Sequence, residues 1–217
     1  MIAVGEVLRV SQDDPDADAL ATAAHVLREG GVLVMPTDSV YGIGCAATAA
    51  NPAHERIFAI KRRDRAQTLP WLVADVEDLH AYGTDVPAWA DRLARELWPG
   101  ALTLVVDASE AVPPEYRGAD GTIALRVPNS NLVRSLAREV GPLATTSANT
   151  HGEAAATSGA GIEGRIVAEA NLTLDAGPAP IAVASTIVGV ADAGPCVYRE
   201  GAIPTARIMR IAKGERR

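Results

Sequence analysis

The stretch Gly30-Gly31-Val32-Leu33-Val34-Met35-Pro36-Thr37-Asp38-Ser39-Val40-Tyr41-Gly42-Ile43-Gly44 indicates the fold class and offers a candidate ligand site. Its glycine pair can end a preceding helix. The apolar run Val32–Met35 predicts a short strand buried on both faces, and Pro36 ends it because proline has no N–H to donate. Three small residues rich in oxygen atoms follow directly. Open α/β sheets bind ligands where strands end in this way.

Two interpretations of this strand end remain open. In one, the hydroxyl groups meet a ligand, and Gly42 and Gly44 let the backbone approach it closely. In the other, Thr37, Asp38 and Ser39 only cap the backbone of an ordinary turn. The local sequence does not choose between them.

Composition, cysteine usage and charge narrow the class of protein. The chain has 217 residues, 48% hydrophobic and 22% charged, which is enough for a packed core. Cys45 and Cys196 form no CxxC pair, so neither a zinc site nor a disulfide framework is indicated, as is typical of a reducing cytoplasm. No signal peptide is evident, and no apolar run approaches the roughly 18 residues of a membrane span. The net charge of −7 argues against general nucleic-acid binding.

Apolar periodicity and capping residues predict the individual elements. Predicted strands cover residues 6–10, 32–35, 71–74, 102–106, 122–127, 143–147, 172–174, 185–190 and 196–199. Predicted helices cover residues 17–29, 76–81, 86–97 and 130–140, and a further helix has Asn51 as N-cap and Pro52 at its first position. The segment after residue 199 is predicted to be a basic tail. Alternating strands and helices favour one α/β domain over residues 1–217.

A dense cationic cluster, Lys61, Arg63 and Arg65, ends the second predicted helix. On a solvated face it would only complement the helix dipole. In the functional interpretation it binds an anion, because arginine offers forked donors to phosphate and lysine supplies a point charge.

A further cation, Arg126, lies in an otherwise apolar predicted strand. It is four residues from Thr122, so both side chains point to the same face of that strand. Burying an arginine is costly unless it meets an anion, which favours a ligand-binding role. The structural alternative is an ion pair with a protein acid such as Asp120 or Asp175.

Common catalytic motifs are absent from the sequence. The histidines show no HxH or HExxH spacing, and no GxxxxGK[ST] or GxGxxG follows a predicted strand. Thr145, Thr146, Ser147 and Asn149 close another strand, where small polar groups are often only turn caps. Cations and hydroxyls without an obvious nucleophile suit phosphoryl or nucleotidyl transfer by positioning and charge stabilisation.

Six short motifs then occur in order along most of the chain. They are Pro36–Gly44 for PT(D/E)TxYGLG, Lys61–Arg63 for KxR, Trp98–Thr103 for WPGxLT, Thr122–Pro128 for T(I/V)xxRxP, Ser147–Asn149 for SAN and Ala184–Val188 for (E)ST(I/V)V. The ordered set resembles the YrdC-like family, the threonylcarbamoyl-AMP synthases, in its short single-domain form. The resemblance implies an α/β domain with a twisted, largely open mixed sheet and helices around a deep concave cavity.

The resemblance also implies a reaction. L-Threonine, bicarbonate and ATP, the last with Mg²⁺, would give threonylcarbamoyl-AMP and pyrophosphate. The product would serve the threonylcarbamoyl modification of adenosine 37 in tRNA, with downstream tRNA-modification transferase proteins as partners. The implied protein is a cytoplasmic nucleotidyltransferase with weak or no direct nucleic-acid binding and no membrane association.

Site residues carry over position by position from the resemblance. Threonine would be held by Ser39, Arg126, Ser147 and Ser185, with Arg126 on its carboxylate. ATP would be held by Lys61, Arg63, Thr122, Asn149, Thr157 and Arg199. Lys61 and Arg63 would also be catalytic, and no protein metal site is implied.

Several positions depart from the family pattern. Ser39 stands where the family usually has Thr, and Asp64 replaces a Pro after KxR. Ala74 falls near a usual His, while Ala184 and Gly189 stand in place of Glu and Asp. These changes concern the threonine pocket more than ATP binding. They keep two alternatives open: a paralogue that uses another carbamoyl-type substrate, and an RNA-binding module, against which the net charge weighs.

Overall fold

The computed structural model describes residues 4–64, 68–191 and 194–215. Its strands are β1 (Glu6–Arg9), β2 (Leu33–Met35), β3 (Gly42–Ala46), β4 (Trp71–Leu72), β5 (Gly83–Thr84), β6 (Leu102–Ala108), β7 (Thr122–Arg126), β8 (Leu143–Ser147), β9 (Leu172–Asp175), β10 (Thr186–Ala191) and β11 (Gly194–Arg199). Its helices are α1 (Ala17–Arg28), α2 (Pro52–Lys61), α3 (Asp78–Tyr82), α4 (Ala88–Leu97), α5 (Asn131–Val140), α6 (Gly164–Glu169) and α7 (Thr205–Ala212). In the ranges described, none of the helices has the length and apolar character that crossing a bilayer requires.

The strands form one mixed sheet. Its order is β1-β9-β2-β3-β8-β4-β7-β6-β10-β11, with β5 paired to β6 beside that path. β1 with β9, β2 with β9, β4 with β7 and β6 with β10 are parallel, whereas pairs such as β3 with β8 are antiparallel. The sheet is open because β1 and β11 lie at opposite edges. The predicted α/β class with a mixed, largely open sheet is confirmed.

Capping fixes the helix that leads into the site. The side chain of Asn51 accepts a hydrogen bond from the backbone N–H of Ala53 at 2.9 Å, and Pro52 occupies the first position of α2, as predicted. With its start fixed, the helix delivers Lys61 at its last position beside the end of β8. Sequence alone therefore locates the start of α2, and packing brings its end to the site.

Hydrophobic cores cover both faces of the sheet, but unequally. On one face, α2, α4, α6 and α7 pack over a core that includes Leu104, Ile123 and Leu125. On the other face, α1 and α5 form a core with residues of β9, β2, β3, β8 and β4. Residues of β6, β7 and β10 that point to this second face, such as Val105 and Ala124, line a cavity instead. The predicted alternation along β7 is therefore confirmed.

Two glycines of the opening stretch have a role that neither interpretation from the sequence gave them. Gly42 and Gly44 lie in β3, paired with β8, and not in a ligand loop. A Cβ on Gly42 would lie 2.7 Å from Cγ2 of Thr145, and one on Gly44 would lie 2.5 Å from its Oγ1. Close packing against this threonine therefore requires glycine at both positions, although Gly42 also lines the cavity.

The segment after β11 is not only a basic tail. Its helix α7 buries Ile208, Ile211 and Ala212 and packs against α4. These apolar residues recur at helical spacing, but Arg207 and Arg210 between them obscure the pattern. The short elements β3, β5 and α6 were not predicted either, because two to six residues are too few to show a period.

Candidate active site

A cavity of about 570 Å³ opens where helices leave the sheet uncovered. Its wall combines the turn after β2, the end of α2, the loop after β8 and strands β6, β7, β8, β10 and β11. The predicted site residues on this wall are Ser39, Lys61, Arg63, Arg126, Ser147, Asn149, Ser185 and Arg199. Motifs that are far apart in sequence therefore converge on one cavity.

Two predicted ATP residues lie off this wall. The hydroxyl of Thr122 donates to Oδ1 of Asp120 at 2.7 Å. Thr157 is exposed, and its carbonyl accepts a hydrogen bond from the backbone N–H of Ala179 at 2.7 Å. Their contact with ATP stays a prediction, and Arg65 of the cationic cluster falls outside the described residues.

Arg126 is the central cation of the first group of polar residues, the Arg126 group, which also contains Asp38 and Ser39. The residue is 6% exposed. Its Nε donates to the carbonyl of Gly100 at 2.9 Å, its Nη1 to Oγ of Ser39 at 2.7 Å, and its Nη2 to Oδ1 of Asp38. Burial lowers the pKa of Arg126, and the charge of Asp38 opposes that shift. Of the guanidinium N–H groups, one on each terminal nitrogen has no acceptor among the described residues.

Asp38 is the acid that pairs with Arg126. The two acids suggested from sequence, Asp120 and Asp175, are hydrogen-bonded to other side chains. The side chain of Asp38 is 2% exposed, and its Oδ2 has no hydrogen-bond partner in the described part of the chain. Asp38 does not line the cavity, so it lies behind Arg126. Both predicted alternatives for Arg126 therefore hold in part. Arg126 forms an ion pair with a protein acid, although with neither Asp120 nor Asp175, and it also faces the cavity.

The turn after β2 combines capping with a place on the cavity wall. Oγ1 of Thr37 donates to the carbonyl of Val40 at 2.6 Å and accepts a hydrogen bond from the backbone N–H of Ser39 at 3.2 Å. Ser39 itself lies on the cavity wall with its hydroxyl on Arg126. Both interpretations of this strand end hold, each for a different residue.

Ser185 and Arg199 belong to a hydroxyl and cation cluster on the same wall. Oγ of Ser185 lies 2.8 Å from Oγ1 of Thr103, and Nη2 of Arg199 donates to the carbonyl of Ser185 at 2.9 Å. Burial lowers the pKa of Arg199, whose charge also contributes to the lowered pKa of Arg126. Thr103 was not predicted as a site residue. Its alternation with the apolar residues Leu102 and Leu104 in the predicted strand was the available signal.

Lys61 leads the second group, the Lys61 group, which also contains Arg63 and Asn149. It is 2% exposed, and its Nζ donates to the carbonyls of Ser147 at 2.5 Å and Asn149 at 2.6 Å. Burial lowers the pKa of Lys61 to about 8; the charge of Arg63 adds to this shift and that of Glu163 opposes it. Of the two interpretations of this helix end, the one on a solvated face therefore does not hold for Lys61. It is a buried cation whose acceptors are neutral.

Arg63 reaches the same cavity because the chain turns between it and Lys61. Arg62, the C-cap residue of α2, is exposed and adopts a left-handed conformation with φ of 52°. Nη1 of Arg63 donates to Oγ1 of Thr146 at 3.1 Å, and burial lowers the pKa of Arg63. The KxR spacing thus places two cations on one wall and points the middle residue to solvent.

Two cavity residues beside Lys61 were not predicted. His151 and Glu153 follow the SAN motif, and the backbone N–H of His151 donates to the carbonyl of Lys61 at 3.0 Å. Glu153 is the one carboxylate among the described wall residues, and the described chain holds no group of three His, Cys, Asp or Glu suited to a metal ion. The wall therefore fits an anionic ligand, and a divalent ion would need oxygen ligands from that ligand.

Comparisons with known proteins agree with this arrangement. The Sua5/YciO/YrdC family model, described as telomere recombination, matches residues 25–201. The chain belongs to the Sua5/YciO/YrdC family. A Mycobacterium leprae (strain TN) protein, provisionally named a threonylcarbamoyl-AMP synthase, is 36% identical over 97% of this chain and 96% of its own length. The threonylcarbamoyl-AMP synthase of Bacillus subtilis (strain 168) is 34% identical over 93% of this chain, which spans 58% of that longer relative. The family resemblance stated from sequence is confirmed.

Solved structures of the family show the same fold. Pyrococcus abyssi Sua5 complexed with L-threonine matches with a TM-score of 0.86 and 31% identity, over 94% of this chain and 60% of that one. Escherichia coli YciO matches with a TM-score of 0.79 and 28% identity, over 90% of this chain and 95% of its own.

Proposed function

We propose that this chain is a nucleotidyltransferase that makes L-threonylcarbamoyl-AMP from L-threonine, bicarbonate and ATP and releases pyrophosphate. The observation that carries the proposal is that one cavity holds two separate sets of anion-binding side chains, Arg126 with Ser39 and Lys61 with Arg63. The reaction needs two such subsites, one for an amino-acid carboxylate and one for a triphosphate. The likeness to relatives named threonylcarbamoyl-AMP synthase and to Sua5 with L-threonine supports the assignment.

The Arg126 group would hold threonine. The guanidinium keeps one N–H on each terminal nitrogen for a carboxylate, which is the bidentate arrangement that arginine favours. Ser39, Ser147 and Ser185 place hydroxyls on the same wall for the remaining polar atoms of the amino acid.

The Lys61 group would hold the triphosphate. The carbonyls of Ser147 and Asn149 that accept from Lys61 are neutral, so an anion would gain the charge of Lys61 in a site where burial strengthens it, and Arg63 lies on the same wall. Asn149 and Arg199 would complete the contacts with ATP on the cavity wall. Thr122 and Thr157, which lie off this wall, would contact ATP outside it.

Mg²⁺ would enter with the triphosphate. Such an ion usually takes phosphate oxygens and waters with one or two protein carboxylates, and Glu153 is the carboxylate at hand. When bound, it would neutralise charge on the departing pyrophosphate.

The chemistry requires two bond-forming steps. The neutral amine of threonine attacks the carbon of bicarbonate, and water leaves to give a carbamate. A carbamate oxygen then attacks the α-phosphorus of ATP as the bond to pyrophosphate breaks. The carbamate is already anionic, so this step needs no strong protein base. Lys61 and Arg63 would stabilise the charge that develops on the leaving group.

The wider setting is also part of the proposal. One domain over residues 1–217 would act in the cytoplasm, to which the free thiols of Cys45 and Cys196 are suited. A separate transferase would pass the threonylcarbamoyl group to tRNA, since a net charge of −7 disfavours direct binding of RNA.

Pyrophosphate release by the purified chain tests the proposal. We expect release only when ATP, L-threonine and bicarbonate are all present, and a much slower rate in Lys61→Ala than in the matched variant Arg62→Asn. Release that continues unchanged without threonine would contradict the proposal.

One second candidate is a paralogue with another carbamoyl-type substrate, which the departures from the family pattern at Ser39, Ala74 and Ala184 favour. In that case pyrophosphate release would need bicarbonate but a different amine. An RNA-binding module would instead show steeply salt-dependent tRNA affinity without ATP turnover.

A further inference from the structure

The ion pair behind the threonine subsite has an unusual arrangement. The side chains of Arg126 and Asp38 are 7% and 2% exposed, and Arg126 lies between Asp38 and the cavity. Oδ1 of Asp38 accepts from Arg126, while Oδ2 has no partner among the described residues. The backbone of Asp38 is fixed as well, since its carbonyl accepts from the N–H of Ile181 at 2.9 Å. The carboxylate of Asp38 is thus held against a cation that also faces the cavity.

The charges near this subsite set the net charge that a ligand carboxylate would meet. Lys61, Arg63, Arg126 and Arg199 all line the cavity, but Arg199 is the one whose charge acts on Arg126, and Asp38 is the buried anion in contact with Arg126. A ligand carboxylate here meets a net charge of about +1, whereas without Asp38 it would meet about +2.

We propose that Asp38 is a positioning residue and an internal counterion that moderates the affinity of Arg126 for carboxylate ligands. The proposal rests on the proposed function, because it takes threonine as that ligand. Substrate and product carry the same threonine carboxylate, so the same guanidinium holds both. A buried arginine without a counterion would retain the product, and Asp38 keeps the affinity low enough for release.

Asp38→Asn tests this directly, because asparagine keeps the shape and an oxygen acceptor for Nη2 but removes the charge. We expect a lower melting temperature, since a buried cation loses its counterion. We also expect L-threonine to bind about tenfold or more tightly, because repulsion between the two carboxylates is lost. Threonine should therefore raise the melting temperature more in Asp38→Asn than in the wild type. Calorimetric titration and thermal unfolding measure both effects.

Asp75→Asn is the matched control. Asp75 also pairs with arginines, Arg134 and Arg138 of α5, but lies off the cavity wall. This variant should lose stability without any change in threonine affinity. Asp38→Glu, which keeps the charge, should bind threonine within about threefold of the wild type.

The outcomes separate the possible roles. Lower stability with unchanged threonine affinity in Asp38→Asn would make Asp38 merely structural and overturn the proposal. Weaker threonine binding in Asp38→Asn, or tenfold tighter binding in Asp38→Glu, would overturn it as well. If Asp38→Asn fails to fold alone, saturating threonine should restore folding, and failure to do so contradicts the proposal. Acetate serves as a second probe. If the wild type does not bind threonine, the proposed function fails. The role of Asp38 would still be supported if acetate raised the melting temperature of Asp38→Asn more than that of the wild type.

Discussion

The two cation groups of the cavity are built on different principles. Arg126 has a protein counterion, Asp38, and keeps only part of its hydrogen-bonding capacity for a ligand. Lys61 contacts only neutral acceptors, and burial lowers its pKa to about 8. A compensated cation suits a ligand with one negative charge, and an uncompensated one suits a ligand with several. On the proposed function, this contrast would let one cavity direct a carboxylate to Arg126 and a triphosphate to Lys61.

The largest expected effect is at Arg126. Arg126→Ala leaves Asp38 buried without its partner, which should cost about 3–5 kcal/mol of stability. Arg126→Lys keeps the charge but cannot form the bidentate contact, so the KM for threonine should rise while ATP affinity stays nearly constant. Melting temperature measured beside both KM values checks this. A large fall in melting temperature with an unaltered threonine KM would leave Arg126 with a structural role alone.

Substitutions in the Lys61 group should show the reverse pattern. Lys61→Ala and Arg63→Ala should each weaken ATP binding by about 1.5–3 kcal/mol, because each removes a charge-assisted contact, with threonine affinity retained. Titration with a nonhydrolysable ATP analogue measures the change. Arg62→Asn is the control, since Arg62 is exposed and asparagine tolerates its left-handed backbone. Unchanged affinity in both cavity variants would remove these cations from the ATP site.

The two groups should also differ in their response to pH. Lys61 has a pKa of about 8 in the fold against 10.5 ordinarily, so its charge is lost as the pH rises through about 8. ATP affinity should then fall by about tenfold per pH unit, or ~1.4 kcal/mol, and Lys61→Ala should lack this dependence. Between these two values the unfolded state binds more protons, so this residue makes stability rise with pH. ATP affinity that stays constant from neutral to alkaline pH in the wild type would contradict the assignment.

The smallest expected effect concerns the choice of amino acid. Serine offers the same carboxylate, amine and hydroxyl as threonine and lacks only a methyl group. One methyl group in an apolar pocket changes the preference for a substrate by about 1 kcal/mol at the low end of the usual range. Ser39 in place of the usual Thr removes a methyl from the pocket wall and favours that low end. Competition between the two amino acids gives the ratio of kcat/KM. Equal values would show that the pocket does not select threonine.

What the sequence predicted was mostly local. The alternation that turns Arg126 away from Leu125 and the N-cap at Asn51 follow from period and capping, and the structure confirms them. Some strand ends, such as Met35 and Ser147, also agree, whereas the predicted strands 71–74 and 102–106 differ from the observed ones by two residues at one end. The pairing of Arg126 with Asp38 did not follow, because the two residues lie in separate motifs and come together only through the sheet.

The same reason applies to the second group. The burial of Lys61 depends on the carbonyls of Ser147 and Asn149, which approach it only in the folded chain. One of the two sequence interpretations gave Gly42 and Gly44 a ligand role, whereas close packing against the Thr145 side chain of the neighbouring strand accounts for both glycines. Long-range packing therefore accounts for what periodicity missed.

Identification of the nucleotide product tests the central claim most directly. The chain incubated with ATP, ¹³C-labelled bicarbonate and L-threonine should yield pyrophosphate and an adenylate whose mass contains threonine and one labelled carbon. Arg126→Lys should reduce its yield at limiting threonine, and Lys61→Ala should reduce it at limiting ATP. Formation of ADP and phosphate instead, or of an adenylate without threonine, would contradict the account.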